Sequence, residues 1–185
     1  MTIDFREVES ALTNKSPIVR WKWARMESFT ATPKQIERGL LDEDGRVREA
    51  WAQRSDFTPT YKQIERGLTD VDGSVRLAWA RRMDFTPMPE QVERGLSDPK
   101  DYIRVVWVER MDWTPTPLQI EKGLTDKEPI YKAWLKRHDV VWTEDQIQQG
   151  LQHPQQKIRR MWEDICRRQN GGHAESSDIV TSHSI

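Results

Sequence analysis

The stretch "VREAWAQRSDFTPT", Val47 to Thr60, returns as "VRLAWARRMDFTPM", Val75 to Met88. The interval is 28 residues, and it recurs along nearly the whole chain. Trp23, Trp51, Trp79, Trp107, Trp134 and Trp162 stand 28, 28, 28, 27 and 28 residues apart. They divide the sequence into six repeats, 1–28, 29–56, 57–84, 85–112, 113–139 and 140–168. Repeats two and three are identical at 20 of 28 positions, the sixth is diverged, and the first lacks the usual entry turn. A period of this size marks an array in which no repeat covers its own apolar face and the end repeats differ from the rest.

Each repeat reads as two helices. The first opens on a capping box, in which a Thr side chain caps the helix and a Gln three residues later reaches back. The pairs are Thr32/Gln35, Thr60/Gln63, Thr116/Gln119 and Thr143/Gln146. Met88 takes the Thr place in repeat four, so that helix start is expected to be weaker. Pro33, Pro89 and Pro117 fall at the first helical position, where a missing N–H costs little. In "QIERGL", Ile36 and Leu40 share a face. Gly39, Gly67, Gly95, Gly123 and Gly150 recur at one position and are expected to admit a close helix approach or to mark a helix end.

On the second helix, Val47, Ala50 and Trp51 fall on one apolar stripe, which places the tryptophan in the core between neighbouring repeats. Arg54, Arg82, Arg110 and Arg137 lie in the same arc. A bare charge there is costly. At a helix C-terminus, however, a cation suits the dipole and its stem can lie on the tryptophan. Asp56, Asp84, Asp112 and Asp139 stand near enough in sequence to pair with it, so the arginines are read as structural.

Composition narrows the function. The 185 residues carry 29 Lys and Arg against 30 Asp and Glu, a balance unlike that of a dedicated nucleic-acid or membrane-surface protein. No apolar run is long enough to span a bilayer, and "MTIDFREVES" lacks the apolar core of a secretory signal. Cys166 is the single cysteine, which excludes an internal disulfide and any all-cysteine metal site. These features predict a cytoplasmic protein. His138, His153, His173 and His183 show no metal spacing with each other or with Cys166, and no nucleophile–base arrangement stands out. Neither catalysis nor a cofactor is expected. Residues 169–185, opening at "QNGG", lack helical periodicity and read as a flexible tail.

The pattern D-x-x-x-x-V-R-x-A-W-A … T-P-x-x-Q-I-x-x-G-L-x-D resembles the leucine-rich variant repeat and, more broadly, HEAT-type helical repeats over residues 1–168. The variant's usual unit is shorter and has Val where this chain has Trp. The resemblance implies an all-α solenoid, a right-handed superhelix of six two-helix repeats. HEAT repeats also carry an Asp and, six residues on, an Arg that bond between neighbours. Asp42/Arg48, Asp70/Arg76 and Asp98/Arg104 have that spacing. Repeat five is one residue short and has Tyr131 at the Arg position. Gln152 is read at the Asp position of repeat six, so the ladder is expected to weaken toward the C-terminus. Some leucine-rich variant proteins hold an iron–sulfur cluster, which one cysteine cannot reproduce.

Positions that vary between repeats at one exposed phase are the candidates for recognition. On the second helices these are Trp21, Glu49, Leu77, Val105, Lys132 and Arg160, then Arg25, Gln53, Arg81, Glu109, Lys136 and Asp164. Trp21, Leu77 and Val105 are apolar where water is expected, and Arg25, Arg81, Lys132, Lys136 and Arg160 flank them with charge. An apolar line edged by Arg suits binding of another protein. The resemblance to arrays in bacterial and phage-borne proteins implies an inhibitor or adaptor of a protein complex. Two rival readings remain. HEAT-like DNA glycosylases share the general build, but the acids on this face, Glu49, Glu109 and Asp164, are scattered. The other rival is a structural spacer.

Overall fold

The computed structural model describes residues 4–171, and all regular structure among them is α-helical, with no strand. The chain divides into two compact units, Met1–Trp113 and Thr114–Ile185. The N-terminal unit holds α1 (Phe5–Leu12), α2 (Pro17–Ala24), α3 (Pro33–Leu40), α4 (Gly45–Ala52), α5 (Tyr61–Leu68), α6 (Gly73–Ala80), α7 (Pro89–Leu96) and α8 (Asp101–Glu109). The C-terminal unit holds α9 (Pro117–Leu124), α10 (Glu128–Lys136), α11 (Glu144–Leu151) and α12 (Gln156–Gly171). α12 therefore takes in residues 169–171, and the remainder of the stretch read as a tail, 172–185, lies outside the described residues. Among the described residues no helix is long and apolar enough to cross a membrane.

Most of these helices have eight residues, about two turns, too short to persist alone in water. Caps and packing hold them. The Thr side chain and the Gln side chain close a capping box at the start of α3, α5, α9 and α11. At α7 the Met88 side chain offers no acceptor, and only the Gln91 half of the box remains, with Gln91 Oε1 accepting from Met88 N at 2.9 Å. In the N-terminal unit each odd-numbered helix packs on the next even one, and α2, α4, α6 and α8 pack side by side in chain order.

The recurring glycine and tryptophan are one device. The Trp51 indole lies so close over α3 that a Cβ at Gly39 would sit 2.1 Å from its Nε1. Equally close ring atoms, at 2.0–2.2 Å, face Gly67 from Trp79, Gly95 from Trp107, Gly123 from Trp134 and Gly150 from Trp162. Each of these five indoles is at most 2% exposed. No described residue has a positive φ, so these glycines serve the close approach and not a turn. Trp23 is the exception. Ala11 stands where the later repeats have glycine, and Trp23 is only half-buried, tilted against Phe29 at 6.4 Å.

The buried arginines are saturated with acceptors. Arg54 donates through Nε and Nη2 to Asp56 at 2.8 and 2.6 Å. Its Nη1 reaches Ala24 O at 3.0 Å and Met26 O at 2.8 Å, and Nη2 reaches Phe29 O at 2.9 Å. Those acceptors match the five N–H groups of a guanidinium one for one. The carbonyls sit just past or at the end of α2, so each arginine caps the helix pair before it. Arg82 and Arg110 repeat the pattern on Ala52, Arg54 and Phe57, and on Ala80, Arg82 and Phe85. Each guanidinium also lies over two rings, Arg54 over Phe29 and Trp51 at 4.6 and 5.2 Å. This accounts for the "DFTP" turn: Asp56 serves Arg54, while Phe57 lies beneath Arg82.

Two further rungs join neighbouring pairs. Arg20, Arg48 and Arg76 grip Asp42, Asp70 and Asp98 in two-pronged ion pairs, each 22 residues ahead, at 2.7–3.0 Å. The side-chain partner of Arg48 is thus Asp70 of the next repeat, the bond between neighbours that was expected. Its own repeat's Asp42 contributes only a backbone carbonyl, at 2.8 Å from Arg48 Nη1. On the odd-numbered helices, Glu9 accepts from Gln35 and Arg38, Glu37 from Gln63 and Arg66, and Glu65 from Gln91 and Arg94. The cap-box glutamine therefore works twice, its oxygen on its own helix and its nitrogen on the neighbour.

A candidate recognition face and a cleft

The side chains that repeat are consumed by these rungs, and the electrostatics show it. The guanidinium of Arg38 holds the Glu9 carboxyl below its ordinary value, as Arg66 does for Glu37. Burial pulls Asp56, Asp70 and Asp84 upward, but Arg54, Arg48 and Arg82 with neighbouring N–H groups more than offset it, and all three end lowered. The Arg46 guanidinium brings Asp44, the cap of α4, down to about 2. The varying positions on the second-helix face lie outside these rungs.

In the N-terminal unit that face carries Trp21 on α2, Leu77 on α6 and Val105 on α8, at matching turns of helices that pack in order. All three are half-buried, and Trp21 and Leu77 rest partly against the core. Arg25 and Arg81, just past the ends of α2 and α6, are exposed. The structure brings Arg25 onto Trp21, with its guanidinium 4.9 Å from the ring centre. Arg25 and Gln53 line one cleft of about 410 Å³, and Gln53 and Arg81 line another of about 460 Å³. Glu49 of the same face is turned to Gln53, which donates to it at 3.0 Å.

The remaining candidates belong to the C-terminal unit. Lys132 on α10 is half-buried and pairs with Glu128 one turn earlier, so its charge is already matched. Lys136, at the end of α10, and Arg160, on α12, are exposed.

The same unit contains a feature whose signal lay in the sequence as the shortened fifth repeat. A cleft of about 710 Å³ opens among α9, α10, α11 and the start of α12. Tyr131 stands where Arg48 and Arg76 stand earlier, and 22 residues ahead of it lies His153, not Gln152. The Arg–Asp grip is replaced by a Tyr131–His153 ring stack, with centroids 5.7 Å apart and planes at 28°. Trp162 Nε1 donates to Tyr131 Oη at 2.7 Å. Burial pushes the Tyr131 phenol up, against that bond. Gln152 instead caps the end of α11.

Among the described residues no three of His, Cys, Asp and Glu converge in a way that could hold a metal ion. No protein-family model matches this sequence, and no curated protein matches it significantly.

Proposed function

We propose that this chain is a non-enzymatic protein-binding module built as an α-solenoid of six two-helix repeats, of the HEAT-like or leucine-rich variant kind. Its recognition strip runs along the second helices, with Trp21, Leu77 and Val105 as apolar anchors and Arg25, Arg81, Lys136 and Arg160 as charged flanks. Lys132 belongs to the strip as a paired lysine. A role as inhibitor or adaptor of a bacterial or phage protein complex, in the cytoplasm, fits a rigid binding surface without chemistry of its own.

One observation carries this reading. The residues that recur are tied into rungs, whereas Trp21 and Leu77 sit half-buried at a varying position with Arg25 and Arg81 exposed beside them. Half-buried aromatics edged by arginine are what protein interfaces use as anchors. The test is an affinity capture run with and without nuclease, comparing the wild type with Trp21→Ala/Leu77→Ala. A nuclease-resistant partner that the double variant loses supports the strip. Capture that vanishes with nuclease transfers the reading to nucleic acid. A partner retained in full by the double variant removes the strip.

A further inference from the structure

We propose that α11 and α12 form a hinged terminal lid that opens from α9 and α10 as one body. In the N-terminal unit every joint between neighbouring helix pairs carries three fasteners, each built on an arginine. At the first joint Arg20 grips Asp42, Arg38 and Gln35 hold Glu9, and Arg54 docks on the carbonyls of Ala24, Met26 and Phe29. The next two joints repeat all three. The joint of α9/α10 with α11/α12 keeps none of these arginines. Tyr131, Gln149 and Ile165 occupy their places. Glu121 stands where Glu9 and Glu37 do. Among the described residues no hydrogen bond or ion pair reaches its carboxylate, and Gln146 is engaged only in capping its own helix.

Weaker ties join these two pairs. Trp162 Nε1 donates to Tyr131 Oη at 2.7 Å, and Tyr131 stacks on His153. Gln155 reaches Glu128, which is already paired with Lys132, and at the surface Arg168 Nη1 meets His138 Nδ1 at 2.6 Å. A neutral hydrogen bond and a ring stack thus replace charge-assisted, two-pronged pairs. The cleft of about 710 Å³ lies between the pairs, lined by Glu121, Leu124 and Tyr131 on one side and by Gln146, Gln149 and His153 on the other. Within α11/α12 the ties are close. Trp162 seats over Gly150 and meets Trp142 edge-on at 5.0 Å, and Gln169 binds both the N and the O of Trp142 at 3.0 and 3.1 Å. On the α10 side Arg137 is held by Asp139. Between these anchored points Val140 and Val141 form the hinge, and Val141 is 85% exposed. A cohesive pair on a sparsely fastened joint is a unit that opens without unfolding the rest, and opening parts Trp162 from Tyr131 and widens the cleft.

The test is hydrogen–deuterium exchange on the full chain. The pair α1/α2 is the matched control, since it also ends the array but keeps all three fasteners. The expected result is that the amides of α11, and of α12 up to Ile165, exchange through one shared opening, faster than those of α1 and α2 by about tenfold or more. Gln149→Arg, at an exposed position, supplies Glu121 with the guanidinium that Arg66 gives Glu37, and it slows that exchange about threefold. Tyr131→Arg/His153→Asp restores the two-pronged pair in register and slows it further. Neither variant changes α1 and α2. Equal exchange at the two ends, exchange of α11 and α12 only with global unfolding, or unchanged exchange in both folded variants overturns the proposal.

Discussion

Replacing Gly67 by alanine sets two effects against each other. In a helix interior alanine is favoured over glycine by about 1 kcal/mol. Against that, the new Cβ would meet Trp79 at 2.1 Å from Nε1, 2.2 Å from Cδ1 and 2.3 Å from Cε2. Reaching 3.4 Å, the near edge of ordinary contact, needs the ring to retreat by about 1.3 Å. Trp79 is 1% exposed, and the Arg82 guanidinium lies over its ring at 5.5 Å. Overpacking of a tight core costs about 1–3 kcal/mol or more, and a ring displaced this far belongs at the upper end. The clash wins, and Gly67→Ala should lose about 2 kcal/mol net. Gly73→Ala is the control. Its Cβ would meet Tyr102 Oη at 3.1 Å, Lys100 Cγ at 3.5 Å and Arg76 Nη2 at 3.7 Å, side-chain atoms that can give way, and it should change stability by less than about 0.5 kcal/mol. Urea unfolding followed by circular dichroism reads both. If Gly67→Ala is as stable as the wild type, the glycine is not there to seat the indole.

Three other perturbations follow from the same contacts. Arg110→Ala strips donors from the carbonyls of Ala80, Arg82 and Phe85 and leaves Asp112 alone, at a cost of about 3–5 kcal/mol. Arg110→Lys recovers little of that in the same urea assay, because an ammonium lacks the planar fork. Met88→Thr completes the capping box of α7 and should raise stability by about 1 kcal/mol, Met88 being 48% exposed. Glu9, Glu37, Asp56, Asp70 and Asp84 all have lowered values in the folded chain, so between folded and ordinary values the unfolded chain binds more protons. Their stabilisation is complete above the ordinary 4.5 and 3.8 and is lost as pH falls through the folded values. Melting temperature should be level down to about pH 5 and drop below about pH 4, with a shallower drop in Asp70→Asn.

The helix pairs were legible because each repeat is another copy of one message. A capping threonine that recurs with its glutamine is hard to mistake, and four such pairs close as read. The arginine at the end of each second helix was equally readable, since only dense hydrogen bonding tolerates a charge in an apolar arc. The Asp and Arg that stand six apart within a repeat bond between neighbours as expected, Arg48 reaching Asp70 of the next repeat. Trp23 shares the spacing of the other tryptophans but faces Ala11 in place of the glycine, and its ring is half-buried. Trp21 and Leu77 were placed by helical phase, which gives direction but not depth, and both lean further into the core than phase alone implies.

The arginines that close each helix pair fasten onto carbonyl oxygens, and every residue carries one. Their docking therefore reads the course of the main chain and is indifferent to side-chain identity at the acceptors. A tandem duplication of 28 codons delivers a new arginine and its new acceptors together, already in register. Loss of a copy removes both at once. The length of such a gene can drift in whole steps, each step leaving the docking of the remaining pairs intact.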